Sequence, residues 1–278
     1  MCDFRSTFTT LAGVGMLAMG CSGSPDGDFV AEDLHVPLEP LAGIIGANGL
    51  DPVDFWSPSA KTALRDLGGG ALIDPGGVLI ATPLLDSAGG RSVLEYALRC
   101  ALPQGATVSA GGLTFHGSVG LAPDWTGRGL VTTEQRWVTA CLLQHLNGFG
   151  VEVDIVMEGS HSALDPRLGE DTTDFTVSDA TMFGNVFING SPAYACLNLD
   201  VQLLCGLDVS LHTVERICGI SPTCGVTVLG LCALVCGNDS NEDPSCKPSL
   251  LGPSYPQSIR TKLEDIDLIE IYPGCELL

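Results

Sequence analysis

Residues 132–158 read TTEQRWVTACLLQHLNGFGVEVDIVME. Two periodicities meet inside this stretch. In its first half Trp137, Val138, Cys141, Leu142, His145 and Leu146 recur at helical spacing and form one apolar stripe. Thr132 and Gln135 have the spacing of a capping box, and Asn147-Gly148 supplies a C-terminal stop. Past the glycine the period falls to two. Phe149, Val151, Val153, Ile155 and Met157 alternate with Glu152, Asp154 and Glu158, which predicts a half-buried strand. A long helix running straight into an alternating strand sets the fold class.

Upstream, Ser57-Pro58 predicts an N-cap with proline in the first turn of a helix that reaches Leu67. Ser92 and Glu95 predict a second helix over about 92–102, with Cys100 on its buried face. Ala106–Phe115 reads as extended, and residues 117–129 as a glycine-rich loop. Downstream, Met182–Ile188 reads as a strand. Ala193–Leu203 and Ile259–Tyr272 alternate as further strands, the last with its alternation shifting near Asp265. The segment 226–235 is too short to span a bilayer and reads as a buried strand or short helix. Helices thus collect before residue 148 and strands after it. The expectation is an α+β domain over 34–278, with N-terminal helices packed on a mainly antiparallel sheet and a disulfide-stapled, cysteine-rich C-terminal region.

The first twenty residues do not belong to that domain. Arg5 precedes an uncharged apolar run, Leu11–Gly20, and Cys21 follows at once. These are the proportions of a signal peptide. Leu17-Ala18-Met19-Gly20-Cys21 resembles the lipobox of bacterial lipoproteins, with Ala18 where leucine is more usual. The resemblance implies cleavage before Cys21, a lipid on its sulfur and attachment to the cell envelope. Ser22 after the cysteine implies the outer membrane if the host is Gram-negative. Residues 21–33 then form a flexible tether whose Gly, Ser, Pro and Asp cannot order themselves.

Beyond Cys2 and Cys21 the chain has ten cysteines: Cys100, Cys141, Cys196, Cys205, Cys218, Cys224, Cys232, Cys236, Cys246 and Cys275. An even set suits five disulfides in an oxidising compartment. Spacing does not fix the pairing. Cys100 with Cys141 could join two helices, and Cys196 with Cys205 could close one hairpin or strand. A rival reading is zinc on Cys218, Cys224, Cys232 and Cys236, but no tight C-x2-C pair is present to chelate it.

The net charge is −21, from 33 acidic and 12 basic residues. Losing Asp3 together with Arg5 leaves it unchanged. Such a surface repels nucleic acid, which needs clustered cations. The partners left open are the membrane, through the lipid anchor, and an envelope protein or glycan. Trp56, Trp125 and Trp137 are the aromatic candidates for a glycan platform, with Trp125 in its loop the best exposed.

Three patterns bear on chemistry. Ser118 follows His116-Gly117, whereas a nucleophile elbow needs glycine two residues before its serine. Cys141 and His145 lie i,i+4 on one face and could touch, although export would oxidise Cys141. Glu158, Ser160, His161, Asp165 and Glu170 hold the ingredients of a triad but read more simply as a polar turn. A fourth pattern concerns metal. In GNDSNEDPSC, Asn238, Asp239, Asn241 and Asp243 (with Glu242 between them) supply hard oxygens that suit calcium, and no other cofactor is implied. The sequence therefore favours a non-catalytic binding or structural module at the envelope. A secreted hydrolase using the Ser/His/Asp cluster is the alternative.

Finally, the lipobox, the R-x-V-x-A-C-L-L helix from Arg136 to Leu143 and the clustered C-terminal cysteines together resemble uncharacterised cysteine-rich exported proteins of myxobacteria. That resemblance implies no activity.

Overall fold

The computed structural model describes residues 45–165, 171–205, 209–221, 224–238 and 244–272. In chain order the elements are β1 (Ile45–Ala47), α1 (Pro52–Phe55), α2 (Pro58–Gly68), α3 (Ala88–Ala101), β2 (Thr107–Ala110), β3 (Leu113–His116) and α4 (Thr132–Gln144). Then come β4 (Asp154–Glu158), β5 (Phe175–Gly184), β6 (Ala193–Leu197), α5 (Leu199–Cys205), α6 (Val209–Cys218), β7 (Val226–Leu231) and α7 (Cys232–Val235). The last are β8 (Cys236–Asn238), β9 (Pro244–Cys246), β10 (Ile259–Glu264) and α8 (Asp265–Ile271). Six strands form one sheet in the order β1-β4-β10-β5-β6-β7. Every pairing in it is antiparallel except β6–β7. The fold is the expected α+β arrangement.

α4 is the keystone. Its residues from Trp137 to Gln144 are all buried, and it packs on β5 and β10. Gln144 is the polar peg: its amide donates to the Ala180 carbonyl (3.2 Å) and to that of Ile259, and its Oε1 lies 3.2 Å from Thr261 Oγ1. A buried amide with both N–H groups bonded limits the desolvation cost and fixes helix against sheet. The helix begins differently from expectation. Val131 is the N-cap, and its N–H donates to Glu134 Oε2 (3.0 Å), so Glu134 and not Thr132 with Gln135 closes the first turn.

α2 follows its signals: Ser57 Oγ accepts from Ala60 N–H and Pro58 opens the helix. α3 starts earlier than Ser92, with Ser87 Oγ capping Gly90 N–H. Its first turn runs through Gly89 and Gly90 because a Cβ would lie 2.0 Å from Asp54 Oδ1 at one and 2.5 Å from the Leu84 carbonyl at the other. Here close packing overrides glycine's weak helix propensity.

Several other expectations are corrected. Ala106–Phe115 is a hairpin, β2–β3, turned by Gly111 and Gly112, both at positive φ. The expected strand at 182–188 starts earlier and ends at Gly184. The alternation over 193–203 is a strand only to Leu197, since α5 follows. There Asn198 N–H donates to the Asp179 carbonyl and Asp200 accepts from Ser178 N–H, which turns the chain out of the sheet. Near Asp265 the β10–β5 register does shift, between Leu263 and Glu264, and at Asp265 itself the strand gives way to α8. Asp265 and Asp267 sit in that helix's first turn, where the dipole favours negative charge. Helices α5, α6 and α8 also break the expected segregation before residue 148. The segment 226–235 divides into β7 and α7. No helix among the described residues is long and apolar enough to cross a membrane.

Four disulfides are described: Cys100–Cys141, Cys196–Cys232, Cys218–Cys224 and Cys236–Cys246. The first joins α3 to α4 as expected. The second overturns the pairing of Cys196 with Cys205, because β6 runs beside β7 in parallel and so brings Cys196 to the start of α7. Cys205 is disulfide-bonded as well, and Cys275 lies outside the described residues. The four thiols of the zinc reading are all consumed in disulfides.

One ionic group is sealed in the core. Asp179 on β5 accepts from Arg216 Nη1 of α6, from the Tyr272 hydroxyl and from Thr261 Oγ1 (2.9 Å). Arg216 Nη2 also donates to the Gln144 carbonyl (3.3 Å). All four side chains are fully buried. Burial alone would lower the Arg216 pKa, but Asp179 and Tyr272 raise it. Burial and then Asp179 push the Tyr272 phenol up.

Candidate functional site

The cleft that holds two of the sequence candidates, Trp137 and His161, lies between the loop before α4 and the turn after β4. It holds about 450 Å³ and is lined by Gly120, Leu121, Asp124, Glu134, Trp137 and His161, among others. Gly120 adopts φ 95°, which a side chain would strain. Arg128 bridges two of the acids, reaching Glu134 Oε1 (2.7 Å) and Asp124 Oδ2 (3.0 Å). Burial would raise the Glu134 pKa, but the Arg128 hydrogen bond and the Val131 N–H hold it below the ordinary value.

His161 stands edge-on to Trp137, with ring centroids 5.3 Å apart. Its Nδ1 accepts from Ala163 N–H (3.1 Å), so the neutral ring carries its proton on Nε2. Burial lowers its pKa, partly opposed by Asp165. A catalytic histidine of the triad kind needs the reverse arrangement, with Nδ1–H held by an acid and Nε2 free to take a proton. Ser160 Oγ donates to the Pro256 carbonyl (3.1 Å). Glu158 faces β10, where Arg260 (2.6 Å) and Lys262 (2.7 Å) bind it. Burial would raise its pKa, but these two cations keep it low. The polar cluster is thus spent on the backbone and on ion pairs. Glu170 lies outside the described residues. The loop at 116–120 does reach the same cleft, through Val119 and Gly120, but Ser118 is not among the lining residues. The cleft is lined by the His161 ring, an aromatic edge and two carboxylates already held by Arg128.

The tryptophans do not form a platform. Trp125 is fully buried, with Nε1 donating to the Leu67 carbonyl (3.3 Å); Trp56 is 2 % exposed, its Nε1 on the Ile217 carbonyl (2.8 Å); Trp137 is 5 % exposed. Their apolar bodies fill the core and each of the first two finds a carbonyl for its N–H. Of the calcium candidates, Asn238 closes β8, while Asp239, Asn241 and Asp243 lie outside the described residues.

Cys141 and His145 are neighbours as the spacing expects, but Cys141 is oxidised. His145 is buried, donates Nδ1–H to the Ala47 carbonyl (3.0 Å) and has no hydrogen-bond partner at Nε2 among the described residues. Burial pushes its pKa down to about 4. The Ala47 carbonyl partly opposes this, and Arg99 and Arg216 reinforce it. Unfolded, the ring titrates near 6.5. Between these values the unfolded chain binds more protons, so stability is present above pH 6.5 and is lost as pH falls toward 4. The loss amounts to about 3 kcal/mol at 1.36 kcal/mol per pH unit. Urea midpoints measured from pH 7 to pH 4 are expected to converge between the parent and His145→Asn. Parallel curves would refute the assignment.

Sequence reasoning missed two groups. One is the Asp179–Arg216 pair. The other is a set of three sulfurs, Cys196, Cys232 and Cys236, within 4.8 Å of one another. The first had a faint signal, an aspartate inside the apolar run 175–184.

No protein-family model, curated protein or solved structure matches this chain.

Proposed function

We propose that this chain is an exported lipoprotein, cut before Cys21 and anchored there by lipid, whose disulfide-bonded domain binds an envelope protein or glycan without catalysing a reaction. One observation carries the reading: every described cysteine is disulfide-bonded. Thiols persist as disulfides in oxidising compartments and are kept reduced in the cytosol. The commitment of Ser160, His161 and Glu158 to other partners supports a binding role over a hydrolytic one, and the cleft beside Trp137 and His161 is the place for the ligand.

The test is the intact mass of the protein from its native membrane fraction, before and after reduction. The expected species begins at Cys21 with acyl chains and gains about ten hydrogens on reduction, two for each disulfide. A species that begins at Met1 with free thiols would overturn both export and anchoring.

A further inference from the structure

Two disulfides meet at the sheet edge. Cys196 (β6) is bonded to Cys232, and Cys236 is bonded to Cys246 across the β8–β9 pair. Yet Cys196 Sγ lies only 3.5 Å from Cys236 Sγ. The cause is local. α7 is a single turn, with Cys232 as its first residue and Cys236 just past its last. Residues four apart share a helix face, so both point at the same sulfur on β6. Cys196, Cys232 and Cys246 are buried, whereas Cys236 is half-buried and opens toward solvent beside exposed Leu234 and Gly237.

We propose that these four cysteines form one thiol–disulfide exchange site, in which Cys196 passes between the two ends of α7 when a dithiol reductant opens Cys236–Cys246. The reductant's thiolate attacks Cys236 Sγ, the accessible sulfur, and Cys246 leaves as a thiolate that takes a proton. The second thiol of the reductant closes on the mixed disulfide. This frees the Cys236 thiolate and leaves the reductant as its own disulfide, two electrons having entered the protein. The Cys236 thiolate then rotates into line with the Cys196–Cys232 bond and attacks Cys196 Sγ, from which it starts 3.5 Å away. Cys196–Cys236 forms, Cys196–Cys232 breaks, and Cys232 departs as a thiolate that is protonated. This second step is redox-neutral and needs no further reagent. In both states β6 stays tied to α7, while Cys246 on β9 is released. Reduction of one bond therefore loosens the β8–β9 pair without untying the sheet edge.

The experiment titrates the mature protein with dithiothreitol, stops each sample in acid, alkylates with N-ethylmaleimide, digests with pepsin and maps the linked peptides. Among the molecules that first carry label on Cys246, roughly a tenth or more are expected to carry it on Cys232 also, together with a Cys196–Cys236 link. Label on Cys236 and Cys246 alone in all of them, with no detectable Cys196–Cys236 link, would overturn the proposal. Cys246→Ser gives a second reading without reductant. The two candidate bonds are chemically alike, so their populations should fall within about tenfold of each other, with Cys232 labelled in roughly a tenth of the molecules or more. Label confined to Cys236 in that variant refutes exchange. Failure of the variant to fold leaves the titration to decide.

Discussion

Replacing Arg216 with methionine is expected to destabilise the domain by about 3–5 kcal/mol, the cost of leaving one member of a buried ion pair uncompensated. The methionine fills much of the same space, so the loss would be electrostatic. Asp179 would keep the Tyr272 and Thr261 hydroxyls but lose its cation, in a fully buried position. The measurement is urea unfolding of parent and variant at neutral pH. A difference within about 1 kcal/mol, the size expected of an exposed pair, would mean the charges are not sealed. A combined variant sharpens the test. Arg216→Met with Asp179→Leu and Tyr272→Phe removes both charges and the phenol that would otherwise lose its acceptor. It is expected to recover more than half of the loss, because apolar replacements of a complete buried network are often neutral. The network thus selects which elements meet: α6 to β5, β10 to the end of α4, and Tyr272 onto all of them.

Removing the Cys100–Cys141 disulfide by changing both residues to alanine is expected to cost about 4 kcal/mol. The two cysteines are 41 residues apart, and closing a loop of that size restrains the unfolded chain by roughly this amount. In a domain of this length it corresponds to a fall of roughly 10 °C in Tm. Scanning calorimetry of the double variant reads it directly. The cross-link sits where α3 meets the keystone helix, with both cysteines fully buried, so alanine also leaves a small void. A Tm equal to the parent's would show that the denatured chain already holds α3 against α4.

Legibility followed the range of the forces. α2 and α4 were readable because their stripes and stops lie within one window of sequence, and Cys100–Cys141 because both cysteines fell on predicted buried faces. α5 and α8 were hidden because short segments such as Leu199–Cys205 satisfy periods of two and of three to four equally. What chose between them was Asp179, a strand residue nineteen positions before Asn198, taking the Asn198 N–H. Cys196 found Cys232 through a parallel pairing that no local pattern announces. The cleft was half legible. His161 and the loop near residue 120 were each singled out, but their meeting, and the commitment of Ser160 to Pro256, depend on contacts across the fold. Trp125 misled because a Gly/Pro loop reads as exposed, while its indole is the plug beneath α2.

The strand order has a consequence for how the molecule is made. β10, which follows every other strand in the chain, is bonded on one side to β4 and on the other to β5. Until residue 264 is available, the middle of the sheet is a gap, and two apolar strands stand with open edges. Partial chains therefore cannot lock into the finished sheet, and assembly waits on contacts between segments about a hundred residues apart. A chain with this strand order stays open until β10 has been made, and becomes rigid only then.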